Sequence, residues 1–173
     1  YDRFSQFAVV SAQLALEVAR LDLAAEDRDR IGVTMGSALG GVAFAEAQAG
    51  IYAREGMRGV DPALALNVFG GASSCNVAIE FGLSGPNVTN AMSCASGTIG
   101  IGDGFRLIRD NYADVMVCGG AEAPLMPLCF GSFTIIRAMS TRNDDPAAAS
   151  RPFDRDRDGF VMGEGGAVLV LEE

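Results

Sequence analysis

The cysteine at position 94 lies where the spacing of apolar residues changes along the chain. Val88, Asn90 and Met92 alternate with Thr89, Ala91 and Ser93, which is typical of a short strand. Between 101 and 108, large apolar residues return at the spacing of one helical face. The sequence therefore predicts that Cys94 occupies a strand-to-helix turn.

The small residues around Cys94 favour nucleophilic chemistry at this turn. Serine, alanine and glycine between 93 and 97 let other backbone approach closely, and the first amides of the following helix have no partner within that helix. The positive end of a helix dipole favours thiolate over thiol, and thiolate is the nucleophilic form. Cys94 is therefore our candidate nucleophile. The alternative is a buried, structural cysteine at an ordinary strand-turn-helix corner.

Four sequence blocks extend the pattern beyond this turn. They are residues 85–97 around Cys94, 113–122, 137–143 and 151–165. In content and order, these blocks resemble the β-ketoacyl-acyl-carrier-protein synthases, the elongating condensing enzymes of fatty-acid and polyketide synthesis. The resemblance covers nearly the whole chain, and four ordered blocks make it more specific than one cysteine turn.

The fold class follows in part from the residues and in part from that resemblance. Alternating strand and helix patterns predict an α/β fold with a mostly parallel sheet covered by helices. The resemblance implies half of a thiolase-like fold, within a layered αβαβα architecture. Residues 1–173 would then be the N-terminal thiolase-like domain of a ketoacyl synthase, lacking the first strand and the whole C-terminal half. The start without methionine is expected of a chain cut from something longer.

Local patterns predict the elements that position the site. Helices are predicted over 4–21, over 42–54, over 72–81 and after Cys94. The first should bury Leu14 and Val18, and the third should end with Gly82 as its C-cap. Strands are predicted over 31–37, over 88–93, over 115–118 before a glycine pair, and twice within 160–172, where 167–171 should be buried on both faces. Phe130, Phe133 and Ile136 are expected to form a buried face.

The resemblance also implies roles for individual side chains. Cys94 would attack the thioester of an acyl carrier protein and hold the acyl chain. Malonyl carrier would then lose carbon dioxide, and its carbanion would attack the acyl-cysteine. Phe133 would shape the acyl pocket beside the cysteine, and Phe69 would lie near the far end of the acyl channel at a dimer interface. For both aromatics, ordinary core packing is the alternative.

Two residues depart from the family pattern near the nucleophile. Ser93 stands where alanine or glycine is usual, and Asn90 stands where an apolar residue is usual. Both lie on the strand that walls the pocket in relatives, so Ser93 is a candidate substrate contact and chain-length preference is open. Glu122 follows a predicted strand, where a carboxylate can be catalytic in an open α/β sheet. The resemblance implies instead that Glu122 is structural and holds loop amides.

Charge and composition restrict the partners. The chain has 22 acidic and 13 basic residues and a net charge of −9, which argues against nucleic acid or an anionic membrane as the main partner. All the basic residues are arginine, and histidine and lysine are absent. In the family, two histidines and a lysine from the second half complete the site. The chain alone is therefore expected to be inactive.

The remaining motifs suggest neither a cofactor nor a metal. The four cysteines have no C-x-x-C spacing, and the glycines at 36, 40 and 41 do not match a nucleotide-binding loop. Reduced thiols and the lack of a long apolar run predict a cytoplasmic protein.

The expected partners are acyl carrier protein, acyl and malonyl thioesters, and a second copy in a homodimer. The competing hypotheses are a non-catalytic folding or dimerisation fragment and a thiolase-type coenzyme A acyltransferase.

Overall fold

Four strands form one sheet through the centre of the molecule. The computed structural model describes residues 1–173, and its strands are β1 (Ile31–Gly36), β2 (Asn87–Asn90), β3 (Val115–Glu122) and β4 (Gly165–Glu172). The strands lie in the order β2-β1-β3-β4. β1 is parallel to both β2 and β3, and β4 is antiparallel to β3. The predicted mostly parallel sheet is confirmed.

The α-helices are α1 (Arg3–Ala19), α2 (Val42–Glu55), α3 (Leu64–Asn67), α4 (Ala72–Phe81), α5 (Ser96–Arg109) and α6 (Pro127–Ile135). α1 begins after Asp2, whose carboxylate accepts a hydrogen bond from the Arg3 amide. α4 ends at Gly82, which has a φ of 64° and caps the helix as predicted. No helix is both long enough and apolar enough to cross a membrane.

Alternating side chains along the central strands put helices on both faces of the sheet. Val117 of β3 lies in one core cluster with Ala8 of α1 and Val77 of α4. Met116, the neighbouring residue of β3, packs with Ile101 of α5 instead. The sheet therefore separates α1 and α4 on one face from α5 on the other, in three layers.

Helix α5 lies very close to the sheet because glycines occupy the contact. A Cβ atom added to Gly36 of β1 would collide with the carbonyl of Ser96, and one added to Gly104 would collide with a side chain of β3. Thr34 of β1 also donates a hydrogen bond of 2.7 Å to the carbonyl of Gly100. Together these contacts bring the first turn of α5 to the carboxyl end of β1.

The buried face of α1 differs from the predicted one. Leu14 and Val18 are exposed, whereas Leu16 is buried in line with Ala8 and Ala12. These buried residues recur every four positions, so the sheet covers only one narrow stripe of α1. The prediction for Leu14 and Val18 is wrong because the apolar residues of α1 extend around more of the helix than the sheet covers.

The glycine pair of β3 does not end the strand. β3 continues to Glu122, and Gly119 and Gly120 pair with Val168 and Ala167 of β4. An added Cβ at Gly119 would collide with the β4 backbone, so glycine here allows close approach and does not mark a turn.

The C-terminal segment contains one strand where two were predicted. Phe160 makes only an isolated bridge with Met139, and β4 begins at Gly165. β4 is also not buried on both faces, since Leu169 is 51% exposed. It lies at an edge of the sheet, where α1 covers Val168 and Val170 but α5 lies mainly over β1 and β3.

Helix α6 does not have the predicted buried face. Phe130 and Ile136 are exposed, whereas Phe133 is half-buried and Cys129 is buried. Residues spaced at i, i+3 and i+6 spread over a wide arc of a helix, and Ile136 lies beyond the last residue of α6. The prediction is therefore wrong for Phe130 and Ile136.

Candidate active site

Cys94 lies in a single 3₁₀ turn, Ser93–Ala95, between the end of β2 and the start of α5. The predicted strand-to-helix turn is confirmed, although β2 ends at Asn90, earlier than predicted. Cys94 is exposed. The structure therefore excludes the buried corner cysteine that the sequence left open.

A cavity of about 900 Å³ opens beside this cysteine. Its lining includes Cys94 and Ser93 from the turn and Gly97 and Thr98 from the first turn of α5. The thiol and the start of the helix thus border the same space. A cavity of this size and mainly apolar surface is large enough for an extended organic substrate.

Glu122 shapes one wall of the cavity through the loop after β1. Its carboxylate accepts hydrogen bonds from the Ser37 hydroxyl at 3.1 Å, the Ala38 amide at 2.6 Å and the Leu39 amide at 3.3 Å. Ala38 and Leu39 line the cavity. The expectation that Glu122 holds loop amides is confirmed, and its carboxylate oxygens are occupied by this loop.

Two aromatic rings form an apolar wall of the cavity. Phe133 of α6 and Phe160 both line it, and their rings meet edge to face with centroids 5.6 Å apart. Phe133 therefore lies where a pocket-shaping residue would be needed. Phe69 lies elsewhere, 63% exposed in the segment between α3 and α4 and outside this cavity.

The charged segment 151–158 supports the aromatic wall. Arg151, whose side chain is 17% exposed, forms ion pairs with Asp158 at 3.3 Å and Asp154 at 3.9 Å. Hydrogen bonds from the Ser140 hydroxyl and the Thr141 amide lower the pKa of Asp158, and Arg151 lowers it further. These contacts join two of the four sequence blocks immediately before Phe160. These ion pairs and hydrogen bonds give segment 151–158 a structural role.

The other cysteines are less suited to nucleophilic chemistry. Burial raises the pKa of Cys118 to about 11. Burial, with nearby Glu46 and Glu122, also raises the pKa of Cys129. Cys75 is exposed but lies on α4, outside the cavity. No group of three or more histidine, cysteine or acidic side chains is arranged to hold a metal ion.

Sequence reasoning missed the loop of residues 38 and 39 and the ring of Phe160 as parts of the site. A signal for the loop was available, because it follows the carboxyl end of a parallel strand, where sites of α/β sheets concentrate. No local signal could place Phe160, since its position depends on the bridge between Met139 and Phe160.

The family model for the beta-ketoacyl synthase N-terminal domain matches residues 1–173. The chain belongs to the beta-ketoacyl synthase family. Among curated relatives, 3-oxoacyl-[acyl-carrier-protein] synthase 2 of Synechocystis sp. is 45% identical over 172 residues, which are 99% of this chain and 41% of the relative. The tetracenomycin polyketide synthase ketoacyl synthase alpha subunit of Streptomyces glaucescens is 47% identical over 179 residues, covering 100% of this chain and 42% of the relative.

Solved ketosynthases share the fold. A type II polyketide synthase ketosynthase from the AntDE:AntF complex, bound to a hexaketide and in complex with its acyl-carrier protein, matches with a TM-score of 0.93 and 31% identity, covering 99% of this chain and 43% of its own. A beta-ketoacyl synthase from Burkholderia phymatum STM815 matches with a TM-score of 0.85 and 35% identity, covering 99% and 42%. The chain thus spans about two fifths of the length of the relatives it matches, and its fold is that of thiolase-like ketosynthases.

Proposed function

We propose that the full-length protein is a β-ketoacyl-acyl-carrier-protein synthase, an acyltransferase that condenses an acyl chain held on Cys94 with malonyl carrier protein. The observation that carries this proposal is the exposed Cys94 thiol, at the start of α5 and on the wall of a large, mainly apolar cavity. Family membership and the names of the relatives support fatty-acid or polyketide synthesis as its setting.

The chemistry has two transfers. Cys94 sulfur attacks the carbonyl carbon of an acyl thioester, and the carrier sulfur leaves and takes up a proton. Malonyl carrier then loses carbon dioxide, and the resulting carbanion attacks the carbonyl carbon of the acyl-cysteine. The Cys94 thiolate leaves, and the product on the carrier is longer by two carbons. Cys94 acts as a covalent nucleophile in the first transfer and as a leaving group in the second.

Groups from outside residues 1–173 must assist these steps. The sequence contains neither histidine nor lysine, and Glu122 is occupied by loop amides. We assign residues 1–173 to the N-terminal thiolase-like domain and the assisting histidines to a second half.

Substrate contacts are assigned from the cavity wall. Phe133 and Ser93 line the cavity and would contact the acyl chain. Phe69 lies outside the cavity, and it would contact substrate only across an interface between two copies.

The unpaired edge of β2 supports a homodimer. Acyl carrier protein is the proposed partner because a similar ketosynthase has been solved with its carrier. The four unpaired thiols support a cytoplasmic location.

A condensation assay on the full-length protein tests the proposal. The Cys94→Ala variant is expected to lose condensation of acyl and malonyl carrier thioesters. Cys75→Ala removes another exposed cysteine outside the cavity, so it should retain wild-type activity. Residual condensation by Cys94→Ala at a rate near wild type would reject the nucleophile.

Two further arms separate the alternatives. A coenzyme A acyltransferase would prefer coenzyme A thioesters to carrier thioesters in the same assay. A chain of residues 1–173 alone should give no condensation, and measurable turnover would contradict the assignment of the assisting groups to a second half. A full-length protein that is inactive on both thioesters would favour a non-catalytic role.

A further inference from the structure

We infer that Asn90 is a positioning residue, which holds the Cys94 turn in place through a two-point amide clamp. This inference rests on the proposed role of Cys94 as the nucleophile. Asn90 is not part of the cavity lining. Its effect on the reaction would therefore pass through the geometry of the turn.

The clamp consists of two hydrogen bonds on either side of the cysteine. Asn90 Nδ2 donates to the carbonyl oxygen of Ser96 at 3.0 Å, and Asn90 Oδ1 accepts from the amide of Met92 at 3.4 Å. One bond holds the entry to the turn and the other holds its exit. A single planar amide thus fixes the distance between the two ends of the segment that carries Cys94.

Both anchors of the clamp are fixed to the rest of the fold. Asn90 is the last residue of β2 and lies opposite Gly36 in the parallel pairing with β1. Its carbonyl oxygen accepts a hydrogen bond from the Ser37 amide at 3.2 Å. Ser96, at the other end, is buried against the sheet at the start of α5. The clamp therefore connects the turn to the sheet on one side and to the helix on the other.

The turn itself has few other restraints. Residues 91–95 are all exposed, and none of their side chains makes a hydrogen bond. Ser93 has a φ of 51°, a left-handed conformation that costs a non-glycine residue roughly 1 kcal/mol. A strained and exposed turn keeps one conformation only when its surroundings impose it. The Asn90 amide is the only side chain that bonds to the backbone across this segment.

The test compares Asn90→Ala with Asn87→Ala in the full-length protein. Asn87 lies on the same strand, and its amide also donates to a backbone carbonyl, that of Ser74 at 3.3 Å, but it does not bond to the turn. Both variants should lose similar thermal stability. Only Asn90→Ala should lower kcat for acylation of Cys94, by about tenfold to a hundredfold, with KM for the acyl thioester nearly unchanged.

A second variant and a second readout guard against a folding defect. Asn90→Asp keeps the acceptor for Met92 but sets an oxygen against the Ser96 carbonyl, so it should fall in kcat at least as far as Asn90→Ala. In both Asn90 variants, iodoacetamide at one fixed pH should alkylate Cys94 several-fold more slowly than in wild type, because the thiol moves away from the helix start. Asn87→Ala should be alkylated at the wild-type rate.

The outcomes separate this inference from the proposed function. If the Asn90 variants match Asn87→Ala in kcat and in the alkylation rate of Cys94, the clamp has no positioning role and the inference is wrong. A rise in KM with kcat unchanged would also overturn it. If wild type is not acylated on Cys94 at all, the proposed function fails, and the alkylation rates at fixed pH still decide whether Asn90 positions the thiol.

Discussion

Cys94 and Cys118 lie beside the same helix, α5, in opposite environments. Cys94 precedes the helix in an exposed turn and borders the large cavity. Cys118 lies in β3 under the middle of the helix, where a side chain at Gly104 would collide with its sulfur. The Cys118 thiol also hydrogen-bonds to Thr34, and burial raises its pKa to about 11.

The difference shows how one helix produces two kinds of cysteine. Glycines along α5 let the helix lie directly on the sheet, which buries the thiol of Cys118 and fixes the helix axis. The same close contact at Gly36 fixes the first turn of α5, and Cys94 lies just before it. The packing that buries Cys118 therefore also supports the exposed position of Cys94 beside the cavity.

The largest expected contrast is in alkylation. At pH 8, a thiol with a pKa of about 11 is ionised in only about one molecule in a thousand. Cys118 is also fully buried. Iodoacetamide should therefore modify Cys94 at least about a thousandfold faster than Cys118, as measured by peptide mass spectrometry over time. Comparable rates would mean that α5 opens readily or that Cys94 is shielded.

The next largest effect is expected from a methyl group under the helix. Gly104→Ala places a Cβ against the Cys118 sulfur and should lower the free energy of unfolding by about 3 kcal/mol. Gly102→Ala is the matched control, because a Cβ there meets no atom within 4 Å. In the interior of α5, that substitution should raise stability by roughly 0.5–1 kcal/mol. Urea unfolding of both variants measures the contrast, and equal effects would show that α5 is not in close contact with β3.

A third effect concerns alkaline pH. The pKa of Cys118 is raised from 9.0 to about 11 in the folded protein, so the unfolded state releases this proton first. The stability that this thiol contributes is complete below pH 9 and is lost as pH rises through 11. The loss should reach roughly 2–3 kcal/mol at pH 11 in wild type.

Cys118→Ala provides the control for this titration. The variant lacks the thiol, so the pH-dependent part of the loss should disappear even if its overall stability is lower. Urea unfolding at pH 8, 9, 10 and 11 compares the two slopes. Identical slopes in wild type and variant would contradict the burial of Cys118.

The smallest predicted effect is at Thr34, which links the two regions. Its hydroxyl donates to the Gly100 carbonyl of α5 at 2.7 Å and also hydrogen-bonds to Cys118. Thr34→Val keeps the shape but removes these bonds, so it should cost about 1 kcal/mol of unfolding free energy. Thr34→Ser keeps the hydroxyl and should cost less. A Thr34→Val variant as stable as wild type would show that the bond to α5 contributes nothing.

Features that depend on local pattern were predictable from the sequence. The turn at Cys94, the buried strand β1, the helices α2 and α4 and the cap at Gly82 all follow from short-range periodicity or from a single glycine. The Glu122 contact to loop amides was expected from the resemblance and is present. Nearly all the elements were therefore located before their packing was known.

Features that depend on what lies opposite were not predictable. Gly119 looks like the end of a strand in the sequence, and only the approach of β4 shows why it lies within one. Leu14 looks like a core residue, and only the narrow contact of α1 with the sheet leaves it exposed. The loop of Ala38 and Leu39 joins the cavity through Glu122, which is far away in the sequence. Local composition carries no information on such partners.

Peptide mapping of the full-length protein after incubation with an acyl carrier thioester tests the central claim most directly. We expect the mass of one acyl group on the peptide that contains Cys94, with Cys75, Cys118 and Cys129 unmodified. An acyl group on any of these other cysteines, with Cys94 free, would contradict the assignment of Cys94 as the nucleophile.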